Sequence, residues 1–243
     1  MAGFTGSLSR ILLLTASFIS APPAFARPAM VDVALLLAVD ASASIDYNEF
    51  DLQMRGIASA FRNPALIAAI AGGANRRIAV ALLQWSGRNE QKLVIGWRII
   101  GTATEARALA RDIRNTPRFF RGGTSITAML KAAEKTFAAL PYKAARRIID
   151  ISGDGSNTDP QPPRNARRQL LSAGITINAL TILDEEPGLE RFFAETVTGG
   201  PDSFTLPVGS FADFSTAIRA KLLREIGAPQ RLSRLRNTPF DIN

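Results

Sequence analysis

The chain has 243 residues, 47% of them hydrophobic, with no cysteine, no histidine and a formal charge of +8 from 29 Lys+Arg against 21 Asp+Glu. Without cysteine there are no disulfides, thiol nucleophiles or Cys-ligated zinc. Without histidine there is no imidazole ligand, no Ser-His-Asp arrangement and no ordinary general base near neutral pH, which disfavours most hydrolase chemistry.

At the N-terminus Arg10 precedes the apolar run Ile11 to Ile19, and Ala24-Phe25-Ala26 places small residues before a cleavage point. This is the form of a secretory signal peptide, and the run falls short of the roughly 20 residues of a bilayer span. Residues 1–26 are therefore expected to be removed on export to the periplasm or the medium. Residues 30–228 contain no Pro/Gly/Ser linker, and 27–228 are expected to form one domain. After the Gly227-Pro229 break, residues 229–243 carry Arg231, Arg234 and Arg236 and are expected to be a flexible basic tail.

Between these ends, strand-like and helix-like segments alternate. Val33 to Val39 is an unbroken apolar run, as in a parallel strand covered on both faces. Asp46 with Glu49 has the form of a capping box, and Phe50, Met54, Ile57 and Phe61 then make a core-facing stripe. The apolar pattern runs on past Pro64 through Leu66, Ile67 and Ile70 to the breaker Gly72-Gly73. Ile78 to Trp85 and Leu93 to Ile100 are strands joined by a turn short enough to demand a hairpin. Thr104 to Asn115 is helical, and Arg121-Gly122-Gly123-Thr124-Ser125 opens a helix with Ile126, Leu130, Ala133 and Phe137 inward.

Arg147 to Ser152 is the next strand and runs into the turn Gly153-Asp154-Gly155-Ser156-Asn157. A helix follows Pro162-Pro163 and stops at Gly174; Ile175 to Leu183 is a strand, and Asp184 to Glu186 an acidic run. Leu189 to Val197 is helical, Ser203 to Val208 a last strand, and Phe211, Phe214, Ile218, Leu222 and Ile226 mark a final amphipathic helix. The alternation predicts an α/β fold: a doubly wound, mostly parallel open sheet with one antiparallel edge strand and helices on both faces. Ligands of such sheets bind beyond the carboxyl ends of the strands, where the strand order reverses.

All three polar loops are read as strand-end loops. Asp40-Ala41-Ser42-Ala43-Ser44 places a carboxylate and two hydroxyls at alternate positions, on one side of a locally extended chain. Alone it is also the composition of a Ser-rich helix cap. Thr124 in the second loop and Asp154 in the third bring the set to three hydroxyls and two carboxylates, an oxygen-only group suited to a hard cation such as magnesium. With some groups acting through water, such a set leaves one coordination position for a ligand, and an acidic side chain suits it.

These three segments, in this order, resemble the metal-ion-dependent adhesion site of von Willebrand factor type A (vWA) domains, and the resemblance runs from about residue 31 to 226. It implies a vWA/Rossmann-like fold in which Ser42, Ser44 and Thr124 contact the metal while Asp40 and Asp154 act directly or through water. Two departures stand out: Ala43 replaces a common Gly, and Ser152-Gly153-Asp154-Gly155 replaces Thr-Asp-Gly, shifting the hydroxyl by one residue and leaving Ser152 without a role. Gln84-Trp85-Ser86-Gly87 and the Arg-Gly-Gly-Thr-Ser loop are similar to those of exported bacterial vWA-type proteins of uncharacterised function.

The resemblance implies a non-enzymatic, adhesion-type binding module that uses magnesium, or manganese or calcium in its place, to capture an acidic side chain of a protein partner. A magnesium-dependent phosphohydrolase is the first alternative, with Gly122-Gly123-Thr124-Ser125 holding a phosphate at a helix start. The loop lacks a Gly-Lys-Ser/Thr signature, however. The second alternative is binding to an anionic surface or nucleic acid through net charge; no basic stripe with interleaved aromatics accompanies it. Among other residues, Trp85 fits the rim of the site or the core, Arg118 and Arg121 fit steering of an acidic partner or a solvated face, and Asp150 fits a structural hydrogen bond.

Overall fold

The computed structural model describes residue 3 and residues 28–184 and 186–227. The expected signal peptide and basic tail lie outside the described residues. Among the described residues no helix is long and apolar enough to cross a membrane.

Six strands form one sheet in the order β3-β2-β1-β4-β5-β6. They are β1 (Met30–Asp40), β2 (Ile78–Trp85), β3 (Gln91–Ile100), β4 (Lys143–Gly153), β5 (Ile175–Ile182) and β6 (Thr205–Val208). Every pairing is parallel except β2 with β3, the antiparallel hairpin at one edge. β1 is central and is the point where the strand order reverses. Its side chains alternate between two cores because successive residues of a strand face opposite ways. Val33, Leu35, Leu37 and Val39 pack on one face under α1 (Tyr47–Arg62), α2 (Pro64–Ala71), α3 (Ala103–Arg114) and α7 (Phe214–Gly227). Ala34, Leu36 and Ala38 pack on the other, under α4 (Ile126–Ala138), α5 (Arg164–Ser172) and α6 (Leu189–Thr196).

The elements follow local chemistry closely. Asp46 and Glu49 complete the capping box of α1, and Thr102 with Glu105 does the same for α3. The apolar pattern across Pro64 is two helices rather than one: Asn63 is extended, its side chain accepts from Ala65 N, and Pro64 begins α2. Proline at a first helical position lacks only an N–H that would be unpaired there, so it starts α2 as it stops α1. β4 begins at Lys143, before the apolar stretch, because its polar first residues pair with Met30 to Ala34 of β1. The final helix opens with a short 3-10 turn at Phe211–Asp213.

One feature of the core runs against composition. Lys221, Asp150 and Glu225 are all buried, and Lys221 Nζ lies 2.6 Å from both Asp150 Oδ1 and Glu225 Oε1. Asn178 Nδ2 on β5 donates to the same Glu225 oxygen at 2.8 Å. One cation thus faces two carboxyl groups, and burial, followed by the Asp150 carboxylate, pushes Glu225 up to about 8. The oddly placed Asp150 is therefore half of an ion pair that pins α7 to the sheet.

Candidate metal-ion site at the carboxyl edge of the sheet

β1 ends at Asp40, which is buried, and Ser42 N donates to its Oδ1 at 2.8 Å. That turn brings the hydroxyls of Ser42 and Ser44 within 3.3 Å of each other. Asp154, just beyond the end of β4, is also buried, and its Oδ1 accepts from Ser44 Oγ at 2.9 Å. In the third loop Gly155 passes so near Thr124 that a Cβ there would lie 3.6 Å from Thr124 Oγ1. The fold therefore gathers the first and third loops through Asp40, Ser42, Ser44 and Asp154, and sets Thr124 of the second loop beside the third.

The Asp154 charge acts on Asp40. Burial first, and the Asp154 charge next, push Asp40 up to about 8. Its Oδ2 is buried with no hydrogen-bond donor. A buried acceptor without a donor costs about 1–3 kcal/mol, and a cation at that oxygen offsets both the missing donor and the repulsion. The residues present thus fit a hard cation in charge and donor type. Among the described residues, however, no group of three or more His, Cys, Asp and Glu side chains gathers, so the donors are chiefly hydroxyls.

Several side-chain contacts hold the loops, and most were invisible in the sequence. Gln53 of α1 donates through Nε2 to Asp40 O at 3.3 Å and accepts from Ser152 Oγ at 2.9 Å. Ser152 therefore has a role, bracing the third loop against the first through Gln53. The available signal was a polar residue inside the apolar stripe of α1. Thr158 clamps the second loop, its Oγ1 accepting from Thr124 N and donating to Thr124 O, both at 3.0 Å. Ser125 caps α4 and donates to Asp159 Oδ2 at 2.7 Å; bonds from Gln161 N, Ser125 and Arg88 hold Asp159 down to about 2.

Trp85 is fully buried in the core rather than on the rim. Gln84 fixes the approach to the second loop, donating to Pro117 O at 2.8 Å and accepting from Phe119 N at 3.0 Å. Arg118 is a brace: Nη2 donates to Ser42 O at 2.6 Å and Ala41 O at 3.1 Å, and Nε donates to Phe120 O at 3.0 Å. From the acidic run after β5, Glu186 accepts from Ser156 N at 2.8 Å, tying that loop to the third loop.

The sheet, its helices and the polar crest at β1 and β4 define a vWA-like α/β domain, remotely related in fold to known structures. Proximal thread matrix protein 1 of the mussel byssus superposes with a TM-score of 0.58 at 20% identity, over 81% of this chain and 49% of that one. A form of that mussel protein described as having a zinc-occupied MIDAS motif gives 0.57 at 20% identity, over 83% and 48%. The pilus adhesin SpaC of Lactobacillus rhamnosus GG gives 0.59 at 16% identity, over 81% and 30%. The chain spans about half, or less, of each of these structures, and at such identities the likeness establishes the fold alone. No curated protein matches the chain. By its sequence the chain belongs to the family described as "Protein of unknown function (DUF1194)", which matches residues 30–230.

Proposed function

We propose that this protein is an exported binding module, not an enzyme, that captures an acidic group of a protein partner through a divalent cation. The ion, magnesium or else manganese or calcium, would be held by the hydroxyls of Ser42, Ser44 and Thr124 and the carboxylates of Asp40 and Asp154. The observation that carries this reading is Asp40: a buried carboxyl group whose Oδ2 has no donor, beside a second buried carboxylate, amid serine hydroxyls. A bound cation of this kind would supply Lewis acidity toward oxygen, and with three of five donors neutral the two carboxylates do no more than balance its charge, so an incoming carboxylate completes the shell without facing an excess of negative charge. The fold is shared with a protein named as an adhesin and with one described with a zinc-occupied MIDAS motif, which supports binding over catalysis. Export with cleavage after Ala26, a binding domain over 27–228 and a basic tail over 229–243 complete the proposal.

The test is thermal unfolding of the chain from residue 27 onward, with and without magnesium, in the wild type and in Asp40→Ala. A ligand at about 100 times its Kd stabilises by about 2.7 kcal/mol, or roughly 5–10 °C in a domain of this size. A saturable rise in the wild type alone is expected, reversed by a chelator. An equal response in both proteins, or none at millimolar metal, overturns the proposal.

A further inference from the structure

The two arginines beside the site differ in kind. The Arg118 guanidinium is occupied by three backbone carbonyls. Arg121 makes no ion pair among the described residues. Instead its guanidinium lies 4.1 Å from the ring centroid of Tyr47. Tyr47 is 68% exposed, more than any other large apolar side chain among the described residues. Such a contact at the surface adds little to stability. Its larger effect is on position, since the ring restricts where the guanidinium lies.

That position is beside the site. Ala43 N, between Ser42 and Ser44, donates to Gly122 O at 2.8 Å, so the residue following Arg121 is tied to the first loop. Tyr47 starts α1 directly after the same loop. Arg118, held on Ser42 O and Ala41 O, adds a second cation on this side of the first loop.

We infer that Tyr47 and Arg121 form a second docking point, which takes a second carboxylate from the same protein segment whose first carboxylate binds at the metal. The inference rests on the metal-dependent reading above and adds the partner's chemistry: a segment carrying two acidic side chains. The planar fork of a guanidinium accepts a carboxylate bidentately, and a side chain already held in place loses less freedom on binding. Tyr and Arg are also the residue types that concentrate binding energy in protein interfaces. Two contacts in one flexible segment reinforce each other because the second is made intramolecularly.

The test uses fluorescein-labelled Gly/Ser peptides carrying one Glu, or two Glu at varied spacing, titrated with the chain from residue 27 onward in magnesium and followed by anisotropy. At least one two-Glu spacing is expected to bind about tenfold more tightly than the one-Glu peptide. Arg121→Gln and Tyr47→Ala bring that ratio close to one and leave the magnesium-dependent rise in Tm unchanged, while Tyr47→Phe keeps the preference. A magnesium response without any two-Glu preference overturns this inference alone, as does a preference that survives Arg121→Gln or a chelator. A wild type whose Tm ignores magnesium removes the metal reading and this inference with it.

Discussion

Ser44 Oγ donates to Asp154 Oδ1 at 2.9 Å across 110 residues of sequence, joining the loop after β1 to the loop after β4. The same Asp154 is, after burial, the main reason that the Asp40 pKa is raised, so it strains the cluster it helps to build. Asp154→Asn keeps an acceptor for Ser44 but removes the repulsion. The Tm without metal is expected to hold or to rise by about 2–4 °C, the equivalent of about 1 kcal/mol, while the magnesium response disappears. Calorimetry with and without magnesium reads both quantities, and a fall in the metal-free Tm would assign Asp154 a structural role instead.

Gly153 explains why a Thr does not precede Asp154 here. A Cβ at Gly153 would stand 2.9 Å from Asp40 Oδ2 and 3.6 Å from Trp85 Cζ2. Gly153→Ala therefore forces the buried Asp40 carboxylate to turn. The magnesium concentration giving half of the thermal shift is expected to rise about tenfold, which corresponds to about 1.4 kcal/mol, and a thermal-shift titration checks it.

The buried carboxyl of Glu225 gives a pH signature far from the site. Its folded pKa of about 8 lies above its ordinary value of 4.5. The folded state therefore binds the proton more tightly. The associated stability is present in full below about 4.5 and is lost as pH rises through about 8. Between pH 6 and pH 9 the loss is expected to be on the order of 2 kcal/mol. Glu225→Gln mimics the protonated carboxyl and flattens that part of the Tm-against-pH curve; an unchanged slope in the variant would refute the assignment.

Gly56 separates folding from binding. A Cβ there would meet Phe214 Cδ1 at 2.8 Å and Ser215 Cα at 3.1 Å, where α1 packs against α7. Gly56→Ala is expected to destabilise by about 1–3 kcal/mol through overpacking. The increment that magnesium adds to Tm is expected to stay as in the wild type, because the added Cβ meets Phe214 and Ser215 and no residue of the site. Parallel melts with and without metal decide the point.

The fold was legible where local chemistry acts alone. Val33 to Val39 has no polar face, which is how a strand buried on both sides reads, and Asp46 with Glu49 announced the start of α1. Legibility failed where a distant partner decides. The polar first residues of β4 look like loop until β1 is placed beside them. Lys221 and Glu225, four residues apart on a helix, read as a surface pair until Asp150 and Asn178 arrive from the sheet. At the site, Asp40, Ser42, Ser44 and Asp154 were readable because they follow strand ends, whereas Thr124, expected at a strand end as well, lies in the connection between α3 and α4. Gln53 and Thr158 were not readable, since a single amide or hydroxyl reveals its role only once two loops have been folded onto it.

The central place of β1 also bears on the order of folding. Its two sides are filled by β2 and, much later in the chain, by β4. A chain emerging from a ribosome or a translocon that has not yet delivered Lys143–Gly153 leaves one long apolar edge of β1 unpaired, an invitation to aggregation. The strand that closes this edge is the one that leads into Asp154. Protection from misassembly and the arrival of Asp154 beside Ser44 are thus a single late event, and a chain stalled before β4 is both sticky and without that contact.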